Sequence, residues 1–232
     1  MATRREKLRS STIDEIKHYA RLQMATEGSS NISLRAIARD MGMTVTALYR
    51  YFASYDDLIT ELIVDAFNAL ADHIDAAQAK QPADNHPARL WAAMWAYREF
   101  AVQHPHEFAL IYGTPIPNYH APRERTVPAT TRTFEVFASI VSDAINAGIL
   151  KPLEQSPELS QAFETMLDQV RDDFRFTLTP MMLYVVGIGW TRMHGVIMLE
   201  LFGHLQPVIG DVDGFYRHEL TNLFASMGIP PP

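Results

Sequence analysis

Apolar residues recur along the chain at the three- and four-residue spacing of helices, and no useful stretch alternates apolar and polar residues as a strand does. The pattern therefore predicts an all-α fold. Three short helices precede a long one; they are expected to begin near residues 11, 33, 44 and 54 and to end near residues 28, 41, 51 and 80. Ser11 or Thr12 is the expected cap of the first helix, and Ser33 of the second.

Helices are also predicted after this first segment. Residues 81–87 have the composition of a linker, and residues 113–122, which contain three prolines, are expected to form a mobile loop. The remaining helices are predicted at about 87–103, 104–112, 126–147, 157–174, 180–204 and 212–227.

The turn between the second and third helices is typical of a helix-turn-helix. Gly42 suits it because glycine adopts a positive φ at little steric cost. In such a motif the third helix enters the major groove, so its exposed start needs small or hydrogen-bonding residues and its other face needs apolar ones. Residues 42–52 meet both demands, and Leu48 and Phe52, four apart, are expected to face inward.

The distribution of charge favours the same segment for binding a polyanion. The whole chain has a net charge of −7, which by itself argues against DNA binding. Residues 1–52, however, contain nine Lys and Arg against five Asp and Glu, a net charge of +4, and the other 180 residues have a net charge of −11. Only the N-terminal part is therefore expected to meet nucleic acid.

Residues 32–58, with the sequence ISLRAIARDMGMTVTALYRYFASYDDL, closely resemble the signature of the TetR family of regulators. The resemblance covers about 55 residues and implies a helix-turn-helix DNA-binding domain over 1–53. It also implies a larger helical domain for ligand binding and dimerisation over 54–232, joined to the first by the long fourth helix. The DNA contacts that it implies come from the second and third helices: Ser33, Arg35, Thr44, Val45, Thr46, Tyr49, Arg50 and Tyr51.

One position departs from the family pattern. Members often have lysine at the start of the fourth helix, where this chain has Tyr55, which can still donate a hydrogen bond to phosphate. A flexible basic arm with Arg4, Arg5, Lys7 and Arg9 is expected to supply the missing charge, although it might be merely solubilising. Two roles remain open for Tyr49: it reads bases, or it mainly packs and places its hydroxyl on a phosphate.

Residues 190–200 resemble the WHG-type subgroup, named for a Trp, His and Gly pattern. In many TetR proteins the last two long helices pair with those of a second copy, so 180–204 and 212–227 are expected to form a homodimer interface. Gly187, Gly189 and Gly195 would allow close helix approach there; packing within one subunit is the alternative.

The middle of the chain is rich in aromatic residues and methionine, which suits a cavity for an apolar or aromatic effector. The candidates for its wall are Trp95, Tyr112, Phe137 and Tyr184, although core packing is the favoured role for any single one of these aromatic residues. Arg98, His104 and His194 are candidate polar anchors.

The sequence gives little support for catalysis, metal binding or a membrane span. There is no cysteine, residues 104–107 (His-Pro-His-Glu) lack a third metal ligand, and no nucleophile motif is present. We therefore expect no catalytic residue, metal or cofactor. The hydrophobic segment 181–202 includes Arg192, His194 and Glu200, which predicts a buried protein helix and no membrane span.

The combined expectation is a cytoplasmic repressor that binds a palindromic operator as a dimer and is released by an effector that shifts the fourth helix. Two alternatives remain. One is an activator or corepressor mode of regulation, and the other is a helical adaptor that retains the helix-turn-helix domain only as a structural relic.

Overall fold

The computed structural model describes residues 3–28, 31–150, 159–174 and 178–230. These residues form helices and connections with no strand, which confirms the all-α prediction. The helices are α1 (Arg4–Glu27), α2 (Leu34–Asp40), α3 (Val45–Leu48), α4 (Tyr55–Gln78), α5 (His86–Gln103), α6 (Pro105–Tyr112), α7 (Arg123–Asn146), α8 (Gln161–Phe174), α9 (Pro180–Leu201), α10 (Gln206–Ile209) and α11 (Val212–Ser226).

The start of the first helix corrects the sequence-based expectation. α1 begins at Arg4 and not near Ser11, because Thr3 and Glu6 form a capping box: the Thr3 hydroxyl accepts from the Glu6 N–H, and the Glu6 carboxylate accepts from the Thr3 N–H at 2.7 Å. The prediction of a flexible arm is therefore wrong, since Arg4, Arg5, Lys7 and Arg9 belong to a helix. Apolar periodicity does not mark this start, because the first two turns of α1 are exposed.

Other boundaries differ by a few residues. α7 begins three residues earlier than predicted and includes Pro128, and the short helix α10 was not predicted. α8 begins at Gln161; of its predicted start, residues 157 and 158 lie outside the described residues.

The chain divides into two compact units. The first comprises residues 1–68 and 104–129, and so contains α1, α2, α3, α6 and the beginnings of α4 and α7. Its core includes Ile16, Ile37, Leu48 and Leu62. The loop 113–122 lies in this unit, where the Tyr119 hydroxyl is 2.9 Å from the hydroxyl of Thr60 on α4.

The second unit comprises residues 69–103 and 130–232. Here α9 packs against α5, α8 and α11. Tyr216 of α11 is completely buried, and its hydroxyl donates to the backbone oxygen of Met94 at 2.6 Å. Burial of the ring raises the pKa of Tyr216 well above its ordinary value, so this donor keeps its proton.

α9 is the one helix in the described part of the chain that is long and apolar enough to cross a membrane, by length and composition only. Such a single helix is weak evidence for a span. The expectation of a buried protein helix is met only in part, because 22% of its most apolar window is buried in the single chain. Met193 and Ile197 are buried, whereas Ile188 and Leu199 are exposed.

Candidate functional site

The turn between α2 and α3 is built around Gly42, which has a φ of 65°. The Met43 N–H donates to the Ala38 carbonyl at 2.8 Å, which ends α2 in a Schellman-type turn. Thr44 then caps α3, with its hydroxyl accepting from the Ala47 N–H at 3.2 Å. These local bonds determine the direction in which the short third helix leaves the turn.

The two faces of this third helix differ as the sequence predicted. Leu48 and Phe52 are almost completely buried in the core of the first unit. Most of the remaining residues between 44 and 51 point outward: Thr44, Thr46, Tyr49 and Arg50 are exposed, and Val45 and Tyr51 are half-buried. Tyr49 is 48% exposed although it is a large aromatic residue, which is unusual for a side chain whose only role is packing. The helix thus presents hydroxyls, an aromatic edge and a guanidinium to solvent.

The start of α2 adds a second set of polar groups. Ser33 caps this helix through the Ala36 N–H at 3.4 Å, and Gln23 of α1 accepts from the Ser33 N–H at 2.8 Å. A capping hydroxyl that accepts one bond still has its own hydrogen to donate to a phosphate. Arg35 is exposed in the first turn of the helix.

Arg9 of α1 contacts the end of the third helix. Its guanidinium donates to the backbone oxygen of Arg50 at 3.0 Å and lies 5.4 Å from the centre of the Tyr51 ring. Sequence reasoning placed Arg9 in an arm and missed this contact, which only the early start of α1 makes possible. Arg4 and Arg5, nearer the N-terminus, are exposed.

Not every basic residue in the first unit faces solvent. Lys17 and Arg21 both form salt bridges with Asp65, at 2.9 and 2.7 Å. Tyr55, at the start of α4, is half-buried; burial together with the neighbouring Asp56 charge raises the pKa of its phenol, which keeps the hydroxyl a donor.

Comparison with known proteins assigns the chain to a family. The profile described as "Bacterial regulatory proteins, tetR family" matches residues 18–62, and the profile described as "Tetracyclin repressor-like, C-terminal domain" matches residues 90–223, more than half of the chain. The HTH-type transcriptional regulator Rv1816 of Mycobacterium tuberculosis (strain ATCC 25618 / H37Rv) is 35% identical over 189 residues, which cover 82% of this chain and 80% of that protein. The chain is a TetR-family transcriptional regulator.

Solved structures agree with this assignment. The regulator superposes on the regulatory protein SCO4313 with a TM-score of 0.78 and 35% identity, over 96% of this chain and 100% of that one. A Rhodococcus sp. RHA1 protein, with a TM-score of 0.69 and 21% identity over 93% of this chain and 95% of that one, shares the fold. The family description and the name of the Mycobacterium tuberculosis relative are those of transcriptional regulators.

The second unit of the regulator contains two adjacent apolar cavities. An inner cavity of about 40 Å³ lies among α5, α7, α9 and α11, with Met94, Phe137 and Met193 in its wall. An outer cavity of about 250 Å³ lies among α7, α8 and α9, with Leu167 and Leu183 in its wall.

A polar cluster borders the inner cavity. The Tyr97 hydroxyl accepts from Trp190 Nε1 at 3.2 Å and lies 2.7 Å from Nδ1 of His194. Burial lowers the pKa of His194 below its ordinary value, which favours the neutral imidazole. In the tautomer whose Nδ1 has no hydrogen, the Tyr97 hydroxyl donates to that nitrogen.

The predicted ligand residues are dispersed in the structure. Phe137 lines the inner cavity, and His194 stacks on Trp190, which lines the same cavity. Trp95 and Tyr184 line neither cavity; Trp95 instead contacts Tyr216, and Tyr184 contacts Phe163.

The remaining three candidates also lie elsewhere. Arg98 forms a buried ion pair with Glu200, with two bonds of 2.7 Å, and a further bond with Asp213. Tyr112 packs on Phe67 in the first unit, and His104 precedes α6, 3.4 Å from Glu107. Tyr97, Phe134 and Trp190 line the inner cavity and were missed, although Leu90, Met94 and Tyr97 have the helical spacing that marks one face.

Proposed function

We propose that this regulator is a repressor that binds a palindromic operator as a homodimer and is released by an apolar small molecule. The observation that carries the proposal is the exposed polar face of the third helix, directed by the Thr44 cap and anchored by buried Leu48 and Phe52. Major-groove readers need this division between a packed face and a hydrogen-bonding face. The expected DNA contacts are Ser33, Arg35, Thr44, Val45, Thr46, Tyr49, Arg50, Tyr51 and Tyr55, with Arg4 and Arg5 on phosphates.

The dimer is supported by an apolar seam on α9. Ile188, Gly195 and Phe202 follow one another at seven-residue intervals, and Leu199 lies beside them. Ile188, Leu199 and Phe202 are all exposed in the monomer. A seven-residue apolar repeat is the pattern by which helices pair, and pairing provides two recognition helices for the two halves of a palindrome.

The effector site is supported by the two cavities of the second unit. α7 contributes Phe134 and Phe137 to their walls, while Arg125, in its first turn, forms salt bridges with Asp57 and Glu61 at the start of α4. α4 and α7 each have residues in both units. α7 therefore connects the cavities to Arg125, and Arg125 contacts the start of α4, the helix that directly follows the helix-turn-helix. A hundredfold loss of operator affinity requires about 2.7 kcal/mol of differential binding. We further propose that the protein acts in the cytoplasm.

Selection from random duplex DNA tests this function. We expect an inverted repeat to be enriched, and Tyr49→Ala and Arg50→Ala each to weaken its binding by about 1–3 kcal/mol per half-site, as loss of a base contact does. Arg171→Ala, on α8 in the second unit, is the control and should bind as the unaltered protein does. Enrichment of no inverted repeat, or full affinity in both helix variants, would refute the proposal; binding that strengthens with effector would indicate a corepressor mode.

A further inference from the structure

The two cavities share a wall. Phe134 of α7 and Val186 of α9 line both of them, so both side chains lie at the boundary between the inner space and the outer one. Phe134 is half-buried and meets Trp190 edge to face, with ring centres 5.5 Å apart. A single-ring side chain of this kind can turn about its first two side-chain torsions without a change in the backbone.

The chemistry of the walls selects against a charged ligand. None of the described residues that line either cavity is ionised; Thr130 and the Tyr97–Trp190 pair provide the hydroxyl and N–H groups among them. The Tyr97 hydroxyl is already engaged by Trp190 and His194. A carboxylate or ammonium group would therefore leave water for walls whose described residues provide no opposite charge, which is strongly unfavourable.

The sizes of the cavities favour an elongated ligand. The inner cavity, about 40 Å³, is little larger than the space of one water molecule. The outer one, about 250 Å³, is below the range of about 300–1,000 Å³ that small-molecule sites occupy. The two reach that range together once the Phe134 ring turns aside, and the joined space is then two chambers in series.

We propose that the effector is a neutral molecule with a flexible hydrocarbon chain, which binds in the outer cavity and extends into the inner one by displacing the Phe134 ring. This inference rests on the proposed effector function of the second unit. It narrows the class of effector from any apolar or aromatic molecule to neutral molecules with a flexible hydrocarbon chain.

Straight-chain 1-alkanols and the matching alkanoates of about 6 to 14 carbons are the probes. Calorimetry with the full-length protein in the absence of DNA, at about pH 8, measures binding directly. Each added methylene should strengthen alkanol binding about fourfold until the joined space is full. The alkanol should bind at least about tenfold more tightly than the alkanoate of equal length. Alkanoates that bind as well as alkanols, or alkanols that do not bind, would overturn the proposal.

Substitution of the shared wall tests the two-chamber part. Phe134→Ala should allow longer alkanols to bind, because the ring that lies in the wall between the two cavities is removed. Phe163→Ala is the matched control: it removes a similar edge-to-face contact, 5.8 Å from Tyr184, in a residue that lines neither cavity. An identical length limit in both variants would contradict the shared-wall role, and Phe134→Leu provides a milder variant if the alanine protein does not fold.

The operator experiment is separate. Alkanols that bind without releasing operator DNA would leave the ligand class intact and refute only the release mechanism.

Discussion

Arg9 and Arg4 of α1 differ in what their side chains contact. Its guanidinium donates to the Arg50 carbonyl and lies over the Tyr51 ring, so it connects α1 to the end of the recognition helix. Arg4, one turn and a half earlier on the same helix, is exposed. The two arginines have the same charge and different surroundings, which permits a direct comparison.

We expect Arg9→Ala to weaken operator binding roughly fivefold, equivalent to about 1 kcal/mol for one hydrogen bond, because the end of α3 loses its support. The salt dependence of binding should stay unchanged. Arg4→Ala should instead reduce the slope of log affinity against log salt by about one per half-site, as loss of a phosphate contact does. Titrations of both variants at several salt concentrations give the measurement. A reduced slope in Arg9→Ala would mean that Arg9 contacts phosphate.

The buried ion pair of the second unit predicts a large effect on stability. Arg98 and Glu200 have side chains that are only 8% and 11% exposed, so removing the arginine leaves a carboxylate without its partner in the interior. Although burial alone would lower the pKa of Arg98, its hydrogen bonds with Glu200 and Asp213 raise it, and the guanidinium remains charged.

Arg98→Met should lower the free energy of unfolding by about 3–5 kcal/mol. Arg132→Met, which removes a salt bridge with the largely exposed Asp72, should cost about 1 kcal/mol or less. Urea unfolding at one protein concentration compares them. Equal losses would show that the burial of the Arg98 pair has no energetic consequence.

At the scale of elements, α7 contains the clearest departure from regular helix geometry. Pro128 is its sixth residue, where the missing N–H leaves the Glu124 carbonyl without its regular helical donor. The division between the two units falls directly after Ala129. Pro180, by contrast, occupies the first position of α9, where no helical N–H bond is required.

We expect Pro128→Ala to stabilise the protein by up to about 3 kcal/mol, because the helix regains one bond and loses a steric clash. Pro180→Ala should change the stability little. Thermal unfolding of both variants, at equal concentration, is the test. A destabilised Pro128→Ala protein would indicate that the proline ring contributes more to packing than the missing bond costs.

Element boundaries show where sequence patterns are informative. The turn at Gly42 and the Ser33 cap were predicted because turn conformation and capping depend on neighbouring residues alone. The start of α1 depends on the same local chemistry, in Thr3 and Glu6, but apolar periodicity does not register a solvated helix end.

At the scale of the whole molecule, the proposed homodimer depends on the apolar seam of α9. Leu199 on the α9 seam and Val102 on α5 are 47% and 46% exposed, so they are matched in exposure but not in location. A charge at a helix–helix seam must leave water, whereas a charge at an isolated surface position remains solvated.

Leu199→Glu should therefore produce monomers and greatly weaken operator binding, whereas Val102→Glu should remain dimeric. Analytical ultracentrifugation and operator titration provide the two measurements. Dimers that persist in the Leu199 variant would place the interface away from this seam.

The sequence alone determined the helical fold, the helix-turn-helix and the family, because these depend on periodicity, turn chemistry and a local signature over residues 32–58. It also predicted the inward direction of Leu48 and Phe52, which follows from their spacing of four. The ligand candidates were far less predictable, since an aromatic residue in a helix looks the same whether it lines a cavity or fills the core.

Tertiary structure decided those cases. Trp95 and Arg98 lie within a few residues of Tyr97, yet of the three only Tyr97 lines a cavity. Tyr97 contacts His194 within α9, whereas Arg98 pairs with Glu200 next to the end of the same helix. Each of these contacts joins residues about a hundred positions apart, and a pairing at that separation depends on how helices pack, which the local pattern of neither helix contains.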